Sequence, residues 1–282
     1  MVYQQEDPWM DYGETLYHNQ LIRGSVPSDL SHAVCFIGAA QTYGRFCDRP
    51  FPQLVCDSLG MQCFNLGVSG AGPEEPLFHN PYVLLDINQC KLVVIQIMSG
   101  RSVSNWKFRI DRGQAGWTLD NKYMYGEQFW KKMWESGDQR DIELTLKSTI
   151  DNYVLAYSRM CHRMYPPIIL LNISNEQRKN SYSVEKSSSM EDSYKNYIEF
   201  LGPYPHFIEK IHTDCIKNDL ECELIEYCGR VGLPQQLPQP RNTDYYKILG
   251  NNVDPSINNY YPSPEMHVEI AELIIEELGI PK

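Results

Sequence analysis

Short apolar runs alternate along this chain with segments whose apolar residues recur every three or four positions. The runs have the length of β-strands, and a strand that is apolar on both faces is typical of a parallel sheet covered by helices on both sides. Five runs predict strands, at 32–37, 61–67, 91–98, 168–174 and 222–227. The helical periodicities predict helices at 50–59, 76–90, 141–164 and 264–278, and a helical region at 193–219 that Gly202-Pro203 interrupts.

This order predicts a doubly wound α/β fold, a flavodoxin-like three-layer α/β/α sandwich with a mainly parallel five-stranded sheet. We find no repeat and no linker composition, so we predict one domain over 1–282 with an N-terminal extension at 1–31. The pattern loosens over 99–140, which holds four of the five Trp residues. We predict an aromatic insertion at 106–140 over the sheet end, with its Trp side chains in a small core of their own. A sugar-stacking platform is the alternative.

Two further segments lack a regular pattern. Residues 175–190 are polar and rich in Ser, which predicts a mobile segment, and 229–260 are rich in loop-forming residues.

The excess of acidic over basic residues restricts the classes of molecule that this chain is expected to bind. The chain has 36 acidic and 25 Lys or Arg residues, for a formal net charge of −11. Nucleic acid and anionic membranes are bound through a surplus of Lys and Arg, so both are disfavoured as partners. Two windows are nevertheless basic, 38–49 and 99–112, with net charges of +1 and +3. A small-molecule or carbohydrate substrate that carries an anionic group therefore remains compatible with the acidic chain.

Cysteine usage and hydropathy indicate a cytoplasmic protein. No apolar run approaches the roughly 20 residues that span a bilayer, and the N-terminus is acidic where a secretory signal would be basic and apolar. The nine cysteines are odd in number and contain no C-x-x-C motif, which favours reduced thiols. We expect no cofactor and no metal. The spacing of the one conceivable metal set fits no compact zinc knuckle; it comprises His212, Cys215, Cys222 and Cys228. The pattern does not indicate an oligomeric state.

The loops after the first three strands are the best candidates for a site. Ligands of open α/β sheets bind at the carboxyl ends of the strands, where the strand order reverses. These loops lie at 38–44, 67–73 and 98–105 and are rich in glycine and small side chains. Their backbone N–H groups can face an anion or an oxyanion, although the glycines could equally serve only to permit tight turns.

Residues 65–70, NLGVSG, and His267 before the last predicted helix carry a more specific resemblance. Together with the first strand and Gly38, they resemble the SGNH or GDSL hydrolase superfamily. The resemblance implies that Gly70 lends an N–H group to an oxyanion hole and that His267 is the catalytic base.

Three positions depart from that superfamily. Its Gly-Asp-Ser block reads Gly38-Ala39-Ala40 here, so Ala40 occupies the position of the nucleophilic serine. The Asp three residues before the His is Pro264, with Ser263 and Glu265 on either side. The Gly-x-Asn-Asp block is replaced by Ser99-Gly100-Arg101.

A narrower resemblance covers most of the chain. The segments FIGAAQTYGRF, RPFPQL, NLGVSGAGP and YYPSPEMH are similar to an uncharacterised bacterial family of marine and polysaccharide-producing organisms. That family implies no established activity.

The missing serine leaves three interpretations open, because an acyl-serine intermediate needs a hydroxyl activated by an imidazole. His267 could act directly as a general base. The fold could bind without catalysis. Another hydroxyl could replace the serine, the candidates being Thr42, Ser69, Ser99 and Ser102.

Arg101 is the most informative candidate for binding an anion. An Arg after the central strand can hold a carboxylate, sulfate or phosphate through its planar guanidinium, although a surface cation or an internal ion pair is an equally good interpretation.

We therefore predict a hydrolase or transferase of SGNH-like type acting on a small or carbohydrate-linked ester or anionic substrate, with His267 and Arg101 as catalytic residues. The alternatives are a catalytically degenerate binding protein for an anionic sugar or metabolite, and a sulfotransferase-like enzyme. The predicted substrate-binding residues are Gly38, Ala40, Gln41, Thr42, Gly70, Ser99, Ser102, Asn105 and Glu265.

Overall fold

The computed structural model describes residues 11–136, 138–174, 200–201, 204–229, 235–236, 257–258 and 261–279. The predicted mobile segment at 175–190, and most of the loop-rich segment at 229–260, lie outside these residues. The strands are β1 (Thr15–Tyr17), β2 (Gln20–Ile22), β3 (Ala33–Gly38), β4 (Gln62–Gly67), β5 (Leu92–Gln96), β6 (Phe108–Arg112), β7 (Ala115–Thr118), β8 (Tyr123–Tyr125), β9 (Ile168–Ser174), β10 (Glu223–Cys228), β11 (Gln235–Gln236) and β12 (Ile257–Asn258).

The α-helices lie between and after these strands. They are α1 (Ala40–Tyr43), α2 (Phe51–Leu59), α3 (Pro76–His79), α4 (Pro81–Ile87), α5 (Gly126–Ser136), α6 (Gln139–Cys161), α7 (Lys210–Leu220) and α8 (Pro264–Glu277). Single 3₁₀ turns occur at Leu30–His32 and Gly100–Ser102.

Five strands form the central sheet in the order β10-β9-β5-β3-β4, and every neighbouring pair is parallel. Helices α4, α6 and α7 pack on one face, and α2 and α8 pack on the other. This order is the flavodoxin-like one, in which the second strand lies on one side of the first and all later strands lie on the other. The predicted three-layer α/β/α sandwich is therefore confirmed, with a sheet that is wholly parallel.

Local chemistry explains where the helices of the α2/α8 layer begin and end. Helix α2 starts after Pro50 and stops at Gly60, which adopts the left-handed conformation with φ 63°. In α8 the Ser263 hydroxyl accepts a hydrogen bond from the N–H of Met266, and Pro264 occupies the first helical position. Both helices were predicted from the helical periodicity of their apolar residues.

The predicted single helix at 76–90 is wrong, because two short helices occupy this segment. Asn80 lies between them in an extended conformation, as expected for the residue before Pro81. Its side chain accepts the N–H of Tyr82 and caps α4.

The insertion after β5 forms its own layer. Strands β6, β7 and β8 make an antiparallel sheet, and α5 follows directly. Trp130 and Trp134 are buried in a separate aromatic core with Phe108 and Phe129, whereas Trp106 and Trp117 remain exposed. A small core of Trp side chains was predicted here, and only two of the four Trp residues belong to it.

The N-terminal extension contains an unpredicted element, the β1–β2 hairpin. Arg23 follows it and donates four hydrogen bonds, to the backbone carbonyls of Tyr43, Gly44, Cys47 and Asp48. These hydrogen bonds hold the loop between α1 and α2 against the residue that follows the hairpin.

No disulfide joins any of the nine cysteines. Among the described residues, no helix combines the length and the apolar character that a bilayer crossing requires.

Candidate functional site

The strand order reverses between β3 and β5, whose carboxyl ends lie side by side. Ile37 pairs with Ile95, one residue before Gly38 and Gln96 end their strands. In folds of this type the crevice at this point binds the ligand. Here it contains a hydrogen-bond network centred on Gln96.

The amide oxygen of Gln96 collects three donors from the turn after β3. Its Oε1 accepts the N–H of Ala39 at 3.0 Å, the N–H of Thr42 at 3.2 Å and the Thr42 hydroxyl at 2.7 Å. All of these groups are buried. An amide oxygen of the protein therefore occupies the position where backbone N–H groups could otherwise face a substrate oxyanion.

The amide nitrogen of Gln96 extends the same network to two more side chains. Nε2 donates to Gln41 Oε1 at 3.1 Å and to the Tyr204 hydroxyl at 2.7 Å, and that hydroxyl donates to Gln41 Oε1 at 3.1 Å. Three of the predicted substrate-binding residues, Gly38, Gln41 and Thr42, therefore lie together. They surround the Gln96 side chain. Because buried polar groups are costly when they lack partners, this closed network holds the turn in place.

Two glycines allow the turn to pack this closely. A Cβ at Gly38 would lie 2.6 Å from Gln96 Oε1, and a Cβ at Gly67 would lie 2.3 Å from the backbone nitrogen of Tyr43. Asn65 completes the contact by donating to the Thr42 carbonyl and accepting the N–H of Gly67.

Ala40, at the position of the superfamily's serine, is the first residue of α1 and is 4% exposed. It carries no nucleophile. Of the alternative hydroxyls, Thr42 is committed to Gln96 and Ser99 accepts the N–H of Arg101. Ser102 is buried, with its carbonyl packed against Gly72. Ser69 is partly exposed and lines an open cavity.

His267 is fully buried in the first turn of α8. Its Nδ1 accepts the N–H of Phe51 at 3.2 Å, and its ring stacks on the Phe51 ring with centroids 5.8 Å apart. Burial, together with the positive charge of Arg23, lowers the pKa of His267 to about 3. The imidazole is therefore neutral at pH 7.

The Phe51 contact also fixes the tautomer of His267. A neutral imidazole whose Nδ1 accepts a hydrogen bond carries its proton on Nε2. Nε2 has no hydrogen-bond partner in the described part of the chain. General-base catalysis through Nε2 would require the other tautomer and the loss of the Phe51 bond.

Gly70 lies beneath the insertion. It has φ 77°, and a Cβ there would lie 3.1 Å from the side chain of Gln114. Gly113, with φ 58°, packs on the Ser69 carbonyl, and its N–H donates to Glu75 Oε2 at 2.6 Å. Burial raises the pKa of this Glu75 carboxyl.

Arg101 lies beside the start of α5. Its side chain is 13% exposed, and its guanidinium is 3.8 Å from the Glu127 carboxylate. The contacts described for Arg101, Gly70 and His267 thus run to different partners, Glu127, Gln114 and Phe51. Residues that act on one substrate are expected to line one pocket, and for these three residues and Gln41 that stays a prediction.

Asn105 and Glu265 complete the predicted set. The Asn105 amide accepts the N–H groups of Lys107 and Phe108 and donates to the Thr149 hydroxyl, so its contacts stabilise the turn before β6. Glu265 is exposed in the first turn of α8.

Sequence reasoning missed Gln96 and Tyr204, the centre of the network. A polar residue in the otherwise apolar run 91–98 was the available signal for Gln96. Tyr204 had no signal, since it reaches the site from 108 positions away.

No cluster of three or more His, Cys, Asp or Glu side chains suited to a metal ion occurs in the described ranges. His212 accepts the Glu209 N–H and helps to cap α7.

Comparison with known proteins gives one family match. The family described as "Domain of unknown function (DUF6473)" matches residues 1–114. No curated protein sequence matches the chain.

Solved structures with a similar fold include lipolytic proteins and esterases. A protein described as lipolytic and of the G-D-S-L family, from Desulfitobacterium hafniense DCB-2, is 11% identical, with 87% of this chain and 98% of that chain covered and a TM-score of 0.38. The acetyl xylan esterase AlAXEase is 12% identical, with 87% and 99% covered and a TM-score of 0.43. The lipase Lip_vut3 from a goat rumen metagenome is 12% identical, with 86% and 96% covered and a TM-score of 0.44. Similarity at this level extends to the fold alone.

Proposed function

We propose that this chain is a ligand-binding protein with a hydrolase-like α/β fold, and that it recognises a small anionic or carbohydrate-linked ligand. No residue of the turn after β3 forms an acyl intermediate in this proposal. The observation that carries the proposal is the position of Gln96 Oε1, which accepts the N–H groups of Ala39 and Thr42.

Acyl transfer through a serine requires a hydroxyl, a base and free oxyanion donors within reach of one substrate atom. Ala40 supplies no hydroxyl. His267 holds its proton on the nitrogen that a catalytic base would need free. The backbone N–H groups of Ala39 and Thr42 already donate to Gln96 Oε1. A substrate oxygen would therefore have to displace the buried side-chain amide of Gln96.

The charge distribution supports an anionic ligand. The chain carries −11 overall, yet the windows 38–49 and 99–112 that flank the strand ends are basic. Local fields of this kind attract small anions to an acidic protein, while the acidic remainder disfavours nucleic acid. The ligand would be a small cytoplasmic molecule, bound without cofactor or metal.

The test combines a hydrolysis panel with a covalent probe. We expect p-nitrophenyl acetate, p-nitrophenyl butyrate and acetylated xylose to be hydrolysed no faster than by heat-denatured protein. We also expect a fluorophosphonate probe of nucleophilic serines to leave the intact mass unchanged. Turnover that a His267→Gln substitution abolishes, or stoichiometric labelling of a serine, would contradict the proposal.

A second candidate is an SGNH-like hydrolase or transferase, which would include sulfo-group transfer. The observation in its favour is Ser69, whose position in an open cavity differs from that of the committed hydroxyls. If this candidate is correct, the same panel will show activity that is lost in a Ser69→Ala variant and retained in Ser102→Ala.

A further inference from the structure

We infer that a cavity between the insertion and the β1–β2 hairpin is the anion-binding site of this protein, and that it takes a sugar bearing a carboxylate or sulfate group. The inference rests on the proposed function and adds to it the location of the site and the class of ligand. None of the predicted catalytic or substrate-binding residues lines this cavity.

The cavity has a volume of about 360 Å³, within the range of roughly 300–1,000 Å³ that is typical of ligand pockets. It opens where β4 ends, so Val68 and Ser69 form its floor. Two cationic side chains, Arg45 and Arg112, line it, and its described lining contains no carboxylate. Two arginines that line one cavity, with no carboxylate in its described lining, suit an anionic ligand.

Arg45 is held in place by its surroundings. Its guanidinium lies over the Phe46 ring at 5.0 Å and over the Tyr261 ring at 5.7 Å. The loop that carries it is fixed by the hydrogen bonds of Arg23 to the Gly44 and Cys47 carbonyls. A positioned guanidinium loses little conformational entropy when it binds an anion.

Arg112 is exposed at the end of β6, and within the described residues it forms no salt bridge. The turn that presents it is rigid, because Gly113 donates to the buried Glu75 carboxylate and packs on the Ser69 carbonyl. Arg112 is therefore an exposed cation on a fixed turn, and its charge acts on the buried Glu75 carboxyl without forming a salt bridge with it.

The remaining walls suit a sugar ring. Tyr123 and Tyr125 line the cavity from β8, and Tyr123 packs against Trp117 with ring centroids 4.8 Å apart. Tyrosine rings offer an apolar face to a sugar ring. The Tyr123 hydroxyl donates to Asp111 Oδ2 at 3.5 Å, so one carboxylate lies next to this wall. Gln20 and Gln114 add amide donors and acceptors for hydroxyl groups.

The inference can be tested by titration calorimetry with D-glucuronate, glucose 6-sulfate, inorganic sulfate and D-glucose. We expect wild-type protein to bind the two anionic sugars, to bind sulfate more weakly, and to bind D-glucose at least tenfold more weakly than D-glucuronate. Arg112→Gln should weaken D-glucuronate binding at least tenfold. Arg140→Gln, which removes the same charge at an exposed position on α6, should leave it unchanged.

Arg45→Gln provides a second variant on the opposite wall, and its melting temperature shows whether the loop remains folded. Equal affinity in wild type, Arg112→Gln and folded Arg45→Gln would overturn the cavity assignment while leaving a binding function in place. No binding of any anionic probe to wild type would also overturn the inference. The proposed function fails separately, if the hydrolysis panel and the serine probe reveal an acyl-enzyme.

Discussion

At the scale of single residues, the Gln96 side chain links segments that are far apart in the chain. It joins the turn at Ala39 and Thr42 to Tyr204, which lies in the segment before α7. These bonds satisfy buried polar groups, which are costly when they lack partners. This side chain therefore stabilises the strand ends and also engages the backbone N–H groups of Ala39 and Thr42.

We predict that Gln96→Met lowers the free energy of unfolding by about 3 kcal/mol, because it leaves several buried donors unsatisfied at nearly unchanged volume. Urea denaturation of wild type and variant measures the difference. Gln89→Met, at an exposed position after α4, is the matched control and should stay within about 0.5 kcal/mol. A Gln96→Met variant as stable as this control would contradict the network.

His267 should make stability depend on pH. Its folded pKa of about 3 lies below the unfolded value of 6.5, so between these values the unfolded chain binds more protons. Stability contributed by the neutral imidazole is complete above pH 6.5 and falls by about 1.4 kcal/mol per pH unit on acidification below about pH 6.

Denaturation curves of wild type and His267→Gln between pH 7.5 and 4.5 measure this dependence. The variant should show a shallower loss of stability in that interval. Parallel curves for the two proteins would mean that His267 is not buried in its neutral form.

Residue roles were the least predictable part of the site. Gln41 and Thr42 were identified as site residues from their position after the first strand, and both belong to the Gln96 network. Their partner Tyr204 is distant in sequence, and long-range hydrogen bonds leave no local pattern. The same reason explains why Gln114 was not expected above Gly70.

At the scale of elements, α1 depends on its close packing against β4. A Cβ on Gly67 would meet the Tyr43 backbone at 2.3 Å, and backbone atoms cannot move aside without shifting the helix. We predict that Gly67→Ala lowers the free energy of unfolding by about 3 kcal/mol.

Gly60→Ala is the comparison, because Gly60 has φ 63° and open space around its Cα. This substitution should cost only about 1 kcal/mol, from backbone strain alone. Thermal or urea denaturation of both variants separates steric from conformational cost. Equal costs would show that α1 does not pack against Gly67 as described.

The central strands and α8 were predictable, and the shortest elements were not. The helical region predicted at 193–219 is wrong over 204–209, which is not helical, and α5 was not predicted as a helix. The five central strands and α8 carry apolar patterns that match their burial, and their predicted bounds agree with the structure to within two residues. The four-residue α1 and the three-residue strands of the β1–β2 hairpin are too short to develop a period.

At the scale of the whole molecule, the net charge of −11 and a cationic cavity coexist. Arg45 comes from the turn after β3, Arg112 from the insertion and Gln20 from the N-terminal hairpin. Only the folded chain brings these distant segments to one cavity, so the sequence indicated basic windows but not their common site.

The most direct test of this account is a crystal structure of the protein soaked with D-glucuronate. We predict that the carboxylate of the ligand lies between Arg45 and Arg112, that its ring lies against Tyr123 or Tyr125, and that Gln96 remains bonded to Thr42. Density for the ligand beside Ala40, with the Gln96 side chain displaced from the turn, would contradict the account.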